Sequence, residues 1–274
     1  WIIDYARESI DQYIATNRKF DELGLTLDAA TQNTISKNLE STWSSNGKLY
    51  EANGVSEESY KEILTNAQKQ DMLFQKYYGK GGLEEVPEAD LLAYFKDNFA
   101  LVNSFTISLA TGDNLTDEQK AANEERKKQI EEYEDLLNDG VTLFQEVYDR
   151  YLHDLTDTTH DAESEGEFEE DEESASYITK DSTRPSAEVV KAIFNLVPGE
   201  AKAINEGNVY YLVKRYSTEE DQKNFDNVRE DTLLAMKSGA FKDMAKEWAS
   251  TLNPTVNDAT LNRYSPVNII TSVE

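Results

Sequence analysis

Two histidines, His153 and His160, and no cysteine are the whole supply of imidazole and thiol in this chain. A Ser-His-Asp nucleophile or a histidine-ligated zinc needs one of them beside suitable partners, and neither stands in a recognisable motif. HExxH and CxxC are absent, so no metal site is expected. GxGxxG and P-loop signatures are absent too, and no cofactor is implied. Carboxylates are plentiful, with 54 Asp and Glu. A glycosidase-like pair could be drawn among so many, but no spacing singles one out. His153 reads as a residue flanking a helix end.

The elements that must position any site are clearest over 184–216. Val189, Ala192, Ile193 and Leu196 repeat at helical spacing, with Pro185 expected in the first turn. Pro198-Gly199 stops the helix, 201–204 reads as a strand, Glu206-Gly207-Asn208 as a turn, and 209–216 as a returning β-branched and aromatic strand. Upstream, 1–22 reads as an amphipathic helix with Ile3, Ala6, Ile10, Tyr13 and Ile14 inward. A second helix spans about 28–49 with Ile35, Leu39 and Trp43 on its apolar side. Ser56 caps a third, with Tyr60, Ile63, Leu64, Ala67 and Phe74 facing in. A short helix over 87–98 precedes a strand at 101–109. Thr116 and Gln119 form a capping box for a long charged helix to about 138. Another helix covers 143–151, and two more cover 219–236 and 240–250. The run 161–173 is acidic, with little beyond Phe168 to bury, and is expected to be exposed and mobile.

A chain of 274 residues can bury a sizeable core in one large or two modest domains. Its 54 acidic against 27 basic residues give a net charge of −27, which repels nucleic acid and favours basic, unfolded clients. No run of 18 apolar residues suggests a membrane span. Trp1 opens inside a helical pattern, so the protein is expected to extend further upstream.

The closing stretch resembles a parvulin-type prolyl isomerase domain. That family's helix reads roughly F-x-x-A-x-F-x-L, followed by x-G-E and a strand carrying G-Y-H-I-I-K. The matching residues are 189–196, Gly199-Glu200 and 209–214. The strand at 104–109 stands where the family has S-H-I-L-V, and D-G-V-T-L-F-Q-E-V-Y-D-R-Y-L-H-D (139–154) resembles its x-G-x-x-F-x-x-L-A-x-x-Y-S-x-D. Glu165-Gly166-Glu167-Phe168 stands near the family's Gly-Gly-Asp-Leu-Gly. Three earlier signposts, F-D-E-L-G-L-T-L-D (20–28), N-G-V-S-E-E-S-Y (53–60) and V-P-E-A-D-L-L-A-Y-F (86–95), resemble the helical module of SurA- and PrsA-type foldases, which trigger factor's chaperone module echoes.

The resemblance implies an α+β protein. A helical chaperone cradle would be built from 1–98 and 217–274, with a parvulin-like α/β domain inserted at 99–216. It implies that Ile3, Ile10 and Ile14 share a core with residues such as Phe225 or Trp248. The positions matching the parvulin site are Thr106, Asp154 and Tyr211, with Thr106 and Tyr211 replacing the family's two histidines. Phe105, Val189, Phe194 and Tyr211 would contact substrate, Val189 standing at the aromatic shelf. The implied function is an extracytoplasmic foldase or holdase for unfolded or newly exported polypeptides. It would sit on the outer face of a Gram-positive bacterium, reaching the membrane only through a lipid anchor. Its isomerase activity would be weak or absent. Two alternatives stand beside it: an active prolyl isomerase with an altered site, and a structural or adhesive surface lipoprotein that kept only the fold.

Overall fold

The computed structural model describes residues 2–156, 174–218, 222–252, 257 and 269–272. The acidic run 161–173, with Gly166 and Phe168, lies outside them, as does His160. The architecture is α+β: helices around one small antiparallel sheet. Two compact units divide it, one of residues 1–91 and 230–274, the other of 92–229. Among the described residues no helix is long and apolar enough to cross a membrane.

The first unit holds α1 (Ile2–Glu22), α2 (Ala29–Ala52) and α3 (Glu57–Tyr78). Asp28 and Ser56 cap α2 and α3, each accepting from the backbone N–H three residues on, which satisfies a donor the helix cannot. The inward face of α1 differs from the one expected. Ile3, Ile10 and Ile14 are 41%, 51% and 40% exposed, while Ala15, Thr16 and Phe20 are buried. At about 100° per residue, Thr16 stands on nearly the opposite side from Ile14. That face is selected by contacts with α3 that an apolar pattern does not register: buried Asn66 donates to the Tyr13 carbonyl, and Lys69 donates to Asn17 and lies over the Phe20 ring. For the same reason α3 turns Asn66, Leu73, Phe74 and Tyr78 inward and leaves Ile63 and Ala67 exposed.

The second unit carries the sheet. Following α4 (Glu88–Asn98), strand β1 (Phe99–Ser108) leads through α5 (Asp117–Leu137) and α6 (Phe144–Thr156) to β2 (Ser176–Thr179). Helix α7 (Ala187–Asn195) and the hairpin β3 (Ala201–Glu206) and β4 (Val209–Tyr216) follow, and the strand order is β2-β1-β4-β3. The Thr116–Gln119 capping box is present, with both reciprocal bonds. Pro185 is outside α7, because Ser186 takes the N-cap and accepts from Val189 N–H. Alternation along β1 and β4 sends Phe105, Ile107 and Leu212 to a core under α5 and α6, and Val102 and Val213 to a core under α7. Where two terminal helices were expected, one continuous α8 (Gln222–Ser250) runs through Gly239. Phe225 on α8 packs on Phe95 within the second unit, whereas Trp248 packs on Tyr77 and Phe241 within the first. The opening isoleucines are exposed residues of the first unit, whereas Phe225 is buried in the second.

Candidate functional site

Antiparallel pairing places Thr106 directly opposite Tyr211, on the face of the sheet that carries α7. A side chain's period of two makes this a consequence of register alone: Ser104 opposes Val213 on the same face. Around these residues lies a cavity of about 850 Å³. That falls within the range of small-ligand and peptide-anchor pockets.

One wall of the cavity comes from α6, where Tyr148, Tyr151, Leu152 and Leu155 repeat at i, i+3, i+4 and i+7. Phe105 anchors this wall. Its ring stacks on Tyr151 at 4.9 Å between centroids and lies 5.2 Å from Tyr148 and 5.6 Å from Phe144. Tyr151 also donates from its hydroxyl to the Thr106 carbonyl at 3.3 Å, tying α6 to the strand that bears Thr106. The opposite wall is Ile178 of β2, Ile193 of α7 and the 183–186 segment between them. Among the described residues Arg184 is the one charged side chain on the lining, and it is exposed.

The chemistry available is that of hydroxyls on an apolar surface. Tyr211 is half-buried, and burial, then the Glu206 carboxylate, raises its phenol above the ordinary value. Thr106 is exposed. Neither titrates near neutrality, so among the described residues these two offer hydrogen-bond donors and acceptors.

Asp154 is placed apart. Its carboxylate accepts from the Tyr133 hydroxyl at 2.6 Å and lies 3.7 Å from His153 Nδ1. It lines a cleft of about 60 Å³ with Arg126 and Gln129. Only Tyr151 and Leu155 belong to both linings. Tyr133 is correspondingly raised, first by burial and then by Asp154. His153 stands in the last turn of α6.

Of the expected substrate contacts, Phe105 and Tyr211 line the cavity. Val189 does not: it is 2% exposed and packs with Val190, Ile193, Leu196 and Val213 beneath α7. Phe194 is also off the wall. Lys180 and Arg215 lie 5.5 and 5.7 Å from its ring centroid. Arg215 further donates to the Phe194 and Leu196 carbonyls at 3.0 and 2.6 Å, which pins the end of α7. Residues not anticipated are the α6 stripe, Ile178 and Arg184. The stripe's helical spacing was the available signal; Ile178 had none, since β2 is short and owes its place to pairing with 99–102.

No protein-family model matches the sequence, and no curated protein matches it. Solved structures of PrsA foldases are similar to the chain over nearly its whole length. That of Streptococcus pneumoniae has a TM-score of 0.46 at 13% identity, covering 98% of this chain and 91% of the other. For Lactococcus lactis the TM-score is 0.41 at 13% identity, with 96% and 87% covered. For Bacillus subtilis it is 0.35 at 17%, with 94% and 88% covered.

Proposed function

We propose that the chain is a protein-folding factor that binds unfolded or newly exported polypeptide, with the second unit as a parvulin-like domain and the helical unit as a chaperone module. The observation that carries this reading is the cavity of about 850 Å³, with Thr106 and Tyr211 in cross-strand register and aromatic and aliphatic walls. Such a site takes an apolar side chain or a proline ring of an extended segment, while the hydroxyls hydrogen-bond the peptide beside it. The motif resemblance over 104–109, 139–154 and 189–214 supports the same assignment. So does the −27 charge, which attracts basic unfolded clients. By the same resemblance the protein works outside the cytoplasm of a Gram-positive cell, held by a lipid anchor.

Isomerase turnover is slow in this reading. The barrier to amide rotation is about 18–20 kcal/mol, and only interactions stronger with the twisted amide than with the planar one lower it. Among the described residues the wall presents no imidazole, and the Asp154 carboxylate, bonded to Tyr133, is not on its lining. Binding needs less, because burying apolar surface yields about 25 cal/mol per Å².

Two measurements test the proposal. Aggregation of a reduced, unfolded client should be suppressed at equimolar protein; no protection would leave a structural lipoprotein. Cis–trans exchange on a proline tetrapeptide should be far slower than with an efficient parvulin, and a comparable rate would make the protein an active isomerase. Leu152→Arg should weaken peptide binding at this cavity by about tenfold. Leu152 is 41% exposed, so the change adds a charge at the wall without opening the core.

A further inference from the structure

The first unit has a groove of about 470 Å³ whose chemistry the cavity does not share. Phe74 is its floor, with Phe241 packed edge-on at 5.5 Å and 85°, and Leu234 and Ala245 extend the apolar strip along α8. Leu234 is 52% exposed, so the strip is open at the surface. The rim is acidic: Asp71 on α3 and Glu230 and Asp231 on α8 face one cation, Lys242.

Neither Asp71 nor Asp231 has a cationic partner among the described residues, and Lys242 forms no ion pair there either. Asp71 has Gln68 as a long hydrogen-bond partner at 3.4 Å, and Glu230 accepts from Gln75 at 2.7 Å. Asp71 is exposed, and the desolvation it has raises its carboxyl above the ordinary value. Exposed carboxylates beside an exposed apolar strip suit a ligand that brings both a cation and an apolar group.

We propose that this groove binds a polypeptide segment in which a large apolar side chain is flanked by lysine or arginine. The inference rests on the polypeptide-binding reading above and adds a second site and a sequence preference to it. A second copy of the chain is disfavoured as occupant, since it carries the same −27 charge and would meet an acidic rim. The apolar side chain lies on Phe74 and Leu234, and the flanking cations reach Asp71 and Asp231. Peptide recognition in a helix-lined groove commonly works this way, with anchors giving affinity and charges selecting the partner.

Fluorescence anisotropy on the full chain tests it, using a labelled peptide of alternating leucine and lysine and its leucine–glutamate counterpart. The leucine–lysine peptide should bind and the glutamate peptide should not. Asp71→Asn with Asp231→Asn should weaken the lysine peptide by about tenfold, from the ordinary worth of two rim charges. Leu234→Ser should weaken it as well. Unchanged binding in the Asp71/Asp231 double variant overturns the site, as does equal binding of both peptides. Client aggregation assayed beside it separates the two claims. Suppression by wild type together with an inert Asp71/Asp231 change sinks this inference alone; no suppression at all sinks the polypeptide-binding reading.

Discussion

Tyr133 donates to Asp154 across 2.6 Å from a helix whose own core face it also fills, with Ile130 and Leu137 beside it. A hydrogen bond to a charged acceptor stabilises by ~1.5–3 kcal/mol, and the partial exposure of Asp154 places Tyr133→Phe near the low end, about 1.5 kcal/mol by chemical denaturation. The same bond predicts a pH effect. Burial and the carboxylate raise the Tyr133 phenol above its ordinary value near 10, so the unfolded chain releases this proton first. The stabilisation is whole below pH 10 and drains as the pH climbs beyond it. Tyr133→Phe should therefore flatten part of the alkaline decline in unfolding free energy; an unchanged slope would show that the phenol titrates normally. Strand register explains why the meeting of Thr106 and Tyr211 was legible: once 104–109 and 209–214 are strands, the two need only the right pairing to meet. Val189 and Phe194 were not legible, because the rotation of a nine-residue helix about its axis decides which of its apolar residues reach a cavity and which fill the core.

Helix α8 shows the same limit for whole elements. Two helices were expected, over 219–236 and 240–250, yet Gly239 between them sits inside 29 helical residues, with no neighbouring group within 4 Å of where a Cβ would stand. A mid-helix glycine costs roughly 0.5–1 kcal/mol relative to alanine through the entropy it loses. Gly239→Ala should accordingly stabilise the protein by about that amount. Gly207→Ala should do the reverse by ~1 kcal/mol, because its φ of 69° at the β3–β4 turn is left-handed backbone that a Cβ resists. Thermal melts of the two variants should move in opposite directions, and a destabilised Gly239→Ala would mean that α8 is strained there. Most element positions followed from local rules: caps at Asp28, Ser56 and Thr116, and the Gly207-Asn208 turn. Strand β2 escaped because four residues carry no periodicity; only the backbone groups of 99–102 select them. The inward face of α1 escaped because Asn66 and Lys69, polar residues on another helix, decide it.

At the scale of the molecule, charge sets two responses that should run in opposite directions. With 54 acids against 27 bases, each carboxylate meets on average more repulsion than attraction. Many of the ion pairs among the described residues are exposed neighbours on one helix turn, such as Arg18–Glu22 and Lys127–Glu124. Such pairs contribute little each. Raising ionic strength from about 0.01 to 0.15 M shortens the screening length from roughly 30 to roughly 8 Å, which quenches long-range repulsion while a contact pair at 3 Å is weakened less. The protein should therefore melt higher in salt, by a few degrees. In a chain of this size ~1 kcal/mol corresponds to ~2–4 °C. Binding of a lysine-rich peptide should weaken over the same range, because its attraction is the long-range term that salt removes. A melting temperature that falls with salt would show the local pairs outweighing the excess charge. Peptide affinity indifferent to salt would show the rim carboxylates taking no part in recognition.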